Sequence, residues 1–138
     1  MASGYWQLKV HEKDKAKTAF VTKHELFEFN VMPFGLCNAP ATFQRAMDNV
    51  LRNIKGKFVL VYLDDIIIFS KNYEKHLQHL QQVFDYLRKA DLKINSKKCY
   101  FCTKKIQFLK HVINEKKVKL DPAKIEKIVN ILAPRNKR

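Results

Sequence analysis

Acidic residues are scarce in this chain. Asp and Glu number 13 against 27 Lys and Arg, which gives 138 residues a formal net charge of +14. That balance favours a polyanionic partner, nucleic acid first and an anionic membrane second, although solubility alone would also account for it. No stretch is apolar for long enough to cross a bilayer. No helical stretch joins a basic face to a Trp-anchored apolar one, so no membrane partner is expected. The N-terminus lacks the charged-then-apolar pattern of a secretion leader. Cysteine is sparse as well, at Cys37, Cys99 and Cys102. An odd count without a leader fits reduced thiols, so the expected compartment is cytoplasmic or nuclear. Cys99 and Cys102 have CxxC spacing with His111 as a third candidate ligand. No second CxxC completes a zinc tetrahedron, and buried or inert thiols are the expectation. Repeats, low-complexity segments and linkers are missing too, and the length suits one domain with a real core.

What the chain does have is Phe58 to Ser70, FVLVYLDDIIIFS, where Asp64 and Asp65 interrupt a run of β-branched and aromatic residues. Phe58 to Leu63 is apolar on both sides of the alternation, which predicts a covered strand. Ile66 to Phe69 repeats that character, and the simplest geometry is a hairpin with the acidic pair at or beside its turn. Two charges in such surroundings need compensation, and hard carboxylate oxygens suit magnesium. A surface turn with two solvated aspartates fits the same residues.

Other elements follow from pattern. Tyr5 to Val10 is strand-like, and residues 11–17 form a charged turn or short helix. Thr18 to Thr22 and Leu26 to Val31 form a hairpin around Lys23-His24-Glu25. Pro33 and Gly35 break the pattern. Asn38 is the expected N-cap of a helix with Pro40 in its first turn. Phe43, Ala46, Met47, Val50, Leu51 and Ile54 have helical spacing, and that helix should end between Asn53 and Gly56. Tyr73, His76, Leu77, Leu80, Val83, Phe84 and Leu87 mark a second amphipathic helix, with His76 and His79 as packing and surface residues. Leu92 to Ile94 reads as a short strand. Lys97, Lys98, Lys104 and Lys105 bracket Tyr100 and Phe101, which suits a nucleic-acid surface or a solvated strand edge. Ile106 to Ile113 and Val118 to Leu120 form a further hairpin around Asn114-Glu115-Lys116. Asp121-Pro122 opens a last helix whose buried stripe is Ile125, Ile128, Val129 and Leu132, ended by Pro134 before a frayed RNKR. The predicted class is α+β, an antiparallel sheet with helices packed on one face.

Three stretches together carry a more specific signal: VMPFGLCNAPATFQRAM (31–47), FVLVYLDDIIIFS (58–70) and HLQHLQQVFDYLRKADLKINSKKCYFCTKKIQF (76–108). With SGYWQ and KTAFVT before them and FLKHVI and LDPAKI after, they resemble, in order, the palm of reverse transcriptases of gypsy-class long-terminal-repeat retrotransposons. That resemblance implies an RNA-directed DNA polymerase with RNA or DNA template–primer and deoxynucleotide as partners, and other Pol segments beside it. It implies that Tyr62-Leu63-Asp64-Asp65 is a YxDD box whose Asp64 and Asp65 help hold two magnesium ions. The paired ions offset charge on the attacking and leaving oxygens. It gives Tyr5, Phe34, Gly35 and Tyr62 to the nucleotide pocket and Gln44 to the template side. Lys98 would protonate the pyrophosphate leaving group. Leu109, Lys110 and His111 would form a primer-grip hairpin within 106–120, ahead of a C-terminal helix over 121–133.

The departures set further expectations. The family's first catalytic aspartate falls one position upstream of Met1, so it and the preceding fingers are expected to be missing. Lys110 and Lys117 stand where the family has glycines. The loss of one carboxylate predicts weak metal binding and a palm inactive by itself, since such catalysis is positioning plus charge stabilisation. The alternatives are a non-catalytic basic nucleic-acid-binding module and a retroelement relic. The charge balance also generates a prediction. Affinity for template–primer duplex, measured by fluorescence anisotropy, should fall roughly 10-fold or more between about 50 and 200 mM salt.

Overall fold

The computed structural model describes residues 3–120 and 122–131 of the chain, without the side chains at 123, 124, 127 and 128. The chain divides into two compact units, Met1–Cys99 and Tyr100–Arg138.

The first unit is built on helix α2, Ala39–Val50, with Pro40 in its first turn. Ala39, Phe43 and Met47 recur every fourth residue and are buried, and Leu51 extends the stripe beyond the helix end. Four-residue spacing keeps such side chains on one face. Ile54, on the turn that follows, joins Met32, Val59, Val83, Leu87 and Leu92 to complete the core. Asn38 does not cap with its side chain: its backbone is helix-like and its carbonyl accepts from Thr42 N at 3.0 Å. Helix α3, Tyr73–Lys89, buries Val83 and Leu87. Its N-cap is Asn72, whose side chain accepts from Lys75 N at 2.9 Å. His76 and His79 both meet Ser70 Oγ through Nδ1, at 3.2 and 2.7 Å, and His79 stacks on Phe58 with ring centroids 3.8 Å apart.

The strands of this unit are short. A helical turn α1, Glu12–Lys15, precedes β1, Phe20–Val21, which pairs antiparallel with β2, Leu26–Phe27. The central hairpin is β3, Val59–Tyr62, and β4, Asp65–Ile68. The mixed α+β class therefore holds, with its strands in separate small antiparallel sheets.

Three expectations fail here. Tyr5 to Val10 is not a strand: Gly4–Gln7 forms a 3-10 turn, with Trp6 N bonded to Ser3 O and Leu8 N to Tyr5 O. Tyr5 and Leu8 pack against the core, which favours the coiled path over alternation. Leu8 is extended after the turn, and Lys9 forms an isolated antiparallel bridge with Val31. Leu92 to Ile94 is a loop, tied down by Gln7, whose side chain accepts from Lys93 N at 2.6 Å and donates to Lys93 O at 3.1 Å. The central hairpin is covered on one face only: Val59 is fully buried, whereas Leu60 and Tyr62 are 45% and 50% exposed.

The second unit is a three-stranded antiparallel sheet followed by a helix. Strands β5, Lys105–Phe108, β6, His111–Asn114, and β7, Val118–Leu120, lie in sequence order. The run 106–113, read as one strand, folds back on itself at Leu109-Lys110. Helix α4 spans Pro122–Val129. Its expected buried stripe is not seen, because Ile125 and Val129 are 48% and 75% exposed. Asp121, Leu132, Pro134 and the RNKR run lie outside the described residues, as does the Ile128 side chain.

Leu109 and Lys110 have φ of 46° and 65°, the paired left-handed conformation of the tight two-residue hairpin turn. Neither residue is glycine, and each carries the Cβ penalty of that region. Lys110→Gly is expected to stabilise the chain by about 1 kcal/mol in urea unfolding. Equal or lower stability would show that the turn is unstrained.

Candidate active site

The pairing Tyr62↔Asp65 leaves Leu63 and Asp64 as the two turn residues of the β3–β4 hairpin. Leu63 has φ 49°, a conformation glycine adopts freely and leucine does not. Gln44 of α2 holds this turn. Its Oε1 accepts from Leu63 N at 2.7 Å, and its Nε2 donates to Val61 O at 3.3 Å. The same Nε2 donates to Asp48 Oδ1 at 2.8 Å, one helical turn along α2. Asp48 Oδ1 also receives Lys55 Nζ at 2.5 Å. The Lys55 hydrogen bond, aided by Gln44 and the lysine's charge against a smaller opposing effect of burial, holds the Asp48 carboxyl below its ordinary range.

Asp64 and Asp65 are exposed at the hairpin tip. The Asp64 carboxylate lies over Gly4: a methyl group built on Gly4 would collide with Asp64 Oδ1 and come within 2.8 Å of Phe43 Cζ. Gly4 is buried there because only a hydrogen fits between the acid and the ring. The next residue, Tyr5, continues into an aromatic group. Its ring centroid is 5.2 Å from Phe34 and 5.4 Å from Phe43, and Trp6 is 5.9 Å from Phe34. These separations suit tilted and edge-to-face contact. Phe34 is 63% exposed, and Gly35 beside it has φ 94°, a conformation that suits glycine. An acidic turn therefore adjoins an aromatic surface open to solvent.

Of the residues expected in the site, Tyr5 and Phe34 touch one another, Asp64 adjoins Tyr5's neighbour Gly4, and Gln44 bonds the acidic turn itself. Tyr62 stands opposite Asp65 and is half exposed. Lys98 ends a 3-10 turn, Ser96–Lys98, and its N donates to Asn95 O at 3.0 Å. Leu109, Lys110 and His111 belong to the second unit, at the β5–β6 turn, where His111 Nδ1 lies 2.9 Å from Leu109 O. One contributor went unrecognised in the sequence: Gly4 stood in SGYWQ with no torsional signature. Gln44 was expected on the template side, but its bond to the acidic turn left no spacing signal. The thiols are not uniformly buried: Cys37 and Cys102 are exposed, and Cys99 is partly buried with Sγ donating to Asn95 O at 3.2 Å.

The donor chemistry fits a divalent cation in part. Two hard carboxylates are what magnesium commonly takes from protein, with water and phosphate oxygens filling the rest. Among the described residues, no group of three His, Cys, Asp or Glu gathers to hold a metal.

Comparison with known proteins bears on this arrangement. A family model described as reverse transcriptase (RNA-dependent DNA polymerase) matches residues 1–113. The retrovirus-related Pol polyprotein from transposon 297 of Drosophila melanogaster is 46% identical over 134 residues, covering 97% of this chain and 13% of that protein. The corresponding polyprotein from transposon gypsy is 38% identical over 128 residues, covering 93% of this chain and 12% of that one. The chain thus spans a small part of the curated relatives it matches. Among solved structures, foamy viral protease–reverse transcriptase in complex with double-stranded DNA superimposes with a TM-score of 0.86 at 30% identity. That match covers 96% of this chain and 23% of the viral one. The complex with RNA/DNA hybrid gives 0.82 at 30% identity, covering 96% and 18%.

The close approach at residue 4 yields a test. Gly4→Ala should displace the Asp64 carboxylate or the Phe43 ring and cost about 1–3 kcal/mol, the usual penalty of overpacking. A thermal unfolding midpoint equal to the parent's would show that the Asp64 carboxylate and the Phe43 ring give way to a methyl group at no cost.

Proposed function

The chain belongs to the reverse transcriptase (RNA-dependent DNA polymerase) family, and we propose that it supplies the palm segment bearing the cation-binding carboxylates of a retrotransposon polymerase. The observation that carries this reading is the seating of Asp64 over Gly4, beside the Tyr5–Phe34 aromatic pair. Members of the family use divalent metal ions. Here Asp64 and Asp65 are the residues that would hold magnesium. Bound there, it would neutralise charge on the attacking and leaving oxygens of nucleotidyl transfer.

The chain's own residues do the rest. Tyr5 and Phe34 give a ring surface for the sugar and base of a deoxynucleotide. Gly35 keeps the adjoining backbone free of a side chain. Gln44 fixes the turn that carries the acids. Lys98 is the proton donor to pyrophosphate, and Leu109, Lys110 and His111 hold the primer. Template–primer is the nucleic-acid partner, a reading supported by the RNA/DNA hybrid and double-stranded DNA bound to the viral relatives. The net charge of +14 favours the same partner. Because no group of three His, Cys, Asp or Glu gathers among the described residues, full activity calls on a further acid beyond Asp64 and Asp65. That same observation favours a second reading, in which the chain holds nucleic acid without chemistry.

Manganese titration followed by electron paramagnetic resonance tests the assignment. The parent chain should bind the ion, and Asp64→Asn and Asp65→Asn should each weaken binding by more than the roughly 10-fold that loss of an outer-shell partner costs. Equal affinity in parent and both variants would remove the cation site and leave the binding-module reading.

A further inference from the structure

Gln44 grips the acidic turn, yet a primary amide can turn over, exchanging its oxygen and nitrogen. In the turned-over state its NH2 would face the Leu63 N–H and its oxygen would face Val61 O and Asp48. Only one orientation satisfies all its contacts. Asp48 strengthens that choice, because its Oδ1 accepts from the same Nε2 that reaches Val61 O. Asp48 is itself aimed by Lys55, whose Nζ reaches the same oxygen. Lys55 is fixed at its backbone: its N donates to Leu51 O at 2.8 Å, and it bridges to Val59 at the start of β3. The line Lys55–Asp48–Gln44–Leu63 therefore starts at one end of β3 and closes on the turn at the other.

We propose that Asp48, aimed by Lys55, is a positioning residue that locks the Gln44 amide onto the Leu63–Asp64 turn and so sets the alignment of Asp64 and Asp65. Neither Asp48 nor Lys55 touches a reacting atom. Their effect reaches the carboxylates only through Gln44 and the backbone of a turn whose Leu63 torsion is disfavoured. The Leu63 N–H bond to Gln44 Oε1 is what offsets that torsion locally. Loosening the amide frees Leu63 to leave the left-handed region, and the adjoining carboxylates move with it. The link from turn to cation rests on the function proposed above.

The test reads the two steps separately on the full chain. Native-state hydrogen exchange at the Leu63 amide reports the grip, with Val83 and Leu87 amides as references in the core of α3. Manganese affinity reports the alignment. In Asp48→Ala, Leu63 exchange should quicken roughly 3- to 10-fold, the worth of one hydrogen bond, while Val83 and Leu87 stay unchanged. Manganese affinity should fall in the same variant. Asp48→Asn keeps an oxygen for Gln44 Nε2 and should restore most of both. Lys55→Met, a change at a half-exposed position, should lie between parent and Asp48→Ala. Unchanged Leu63 exchange in Asp48→Ala and Lys55→Met overturns the proposal. So does an equal loss of protection at Leu63, Val83 and Leu87, which would make Asp48 a general stabilising residue. If Asp64→Asn leaves manganese binding intact while Leu63 exchange responds as described, the grip stands and the cation reading fails.

Discussion

Everything at the acidic turn depends on where one glutamine side chain is held, and hydrophobic packing decides that. Phe43, Met47 and Leu51 have no exposed surface. Helix α2 therefore cannot rotate or slide without opening a cavity, and large-to-small changes in such cores cost several kcal/mol. Gln44 and Asp48 each follow a buried residue by one position, about 100° around the helix. The apolar stripe consequently sets their direction as firmly as its own. A polar device at the surface inherits the rigidity of the core behind it.

Much of this was legible in the chain itself, for reasons that differ by element. Helices α2 and α3 were plain because each carries a stripe at helical spacing and is long enough for the stripe to repeat. The β3–β4 hairpin was plain because two β-branched runs flank a pair of acids. The 3-10 turn at Gly4–Gln7 was not, because tertiary contacts of Tyr5 and Leu8 outweighed the alternation. The open face of β3 was hidden for another reason: Leu60 and Tyr62 look the same in composition whether covered or bare. The acidic pair declared itself by adjacency. The grip by Gln44 did not, since its partner lies 19 residues on and nothing in the spacing marks it. Gly4 was hidden because its requirement comes from the Asp64 oxygen against it and not from its own backbone.

The electrostatics of the site follow from the same placement. The chain is strongly basic, yet its exposed hairpin tip is acidic. Under the function proposed above, phosphate oxygens would be drawn to the chain by its lysines and repelled by Asp64 and Asp65 at close range. A divalent cation held as proposed would resolve that conflict, since it would turn two repelling groups into an attachment point for phosphate. On this view the basic surface supplies association, and the acid pair supplies register.

Backbone strain sits at both hairpin tips that the family resemblance singles out. Leu63 carries it in the first unit; Leu109 and Lys110 carry it in the second. Tight antiparallel turns need left-handed residues, and glycine is the ordinary solution. At Leu63 the alternative is an outside partner, the Gln44 amide. At Leu109 the carbonyl lies 2.9 Å from Nδ1 of His111, a partner within the hairpin itself. The two solutions differ in consequence. A turn held from within keeps its shape wherever the hairpin goes. A turn held by a neighbouring helix keeps its shape only while helix and hairpin stay in register. The conformation of the acid-bearing turn is therefore coupled to the packing of α2 against β3, through Gln44.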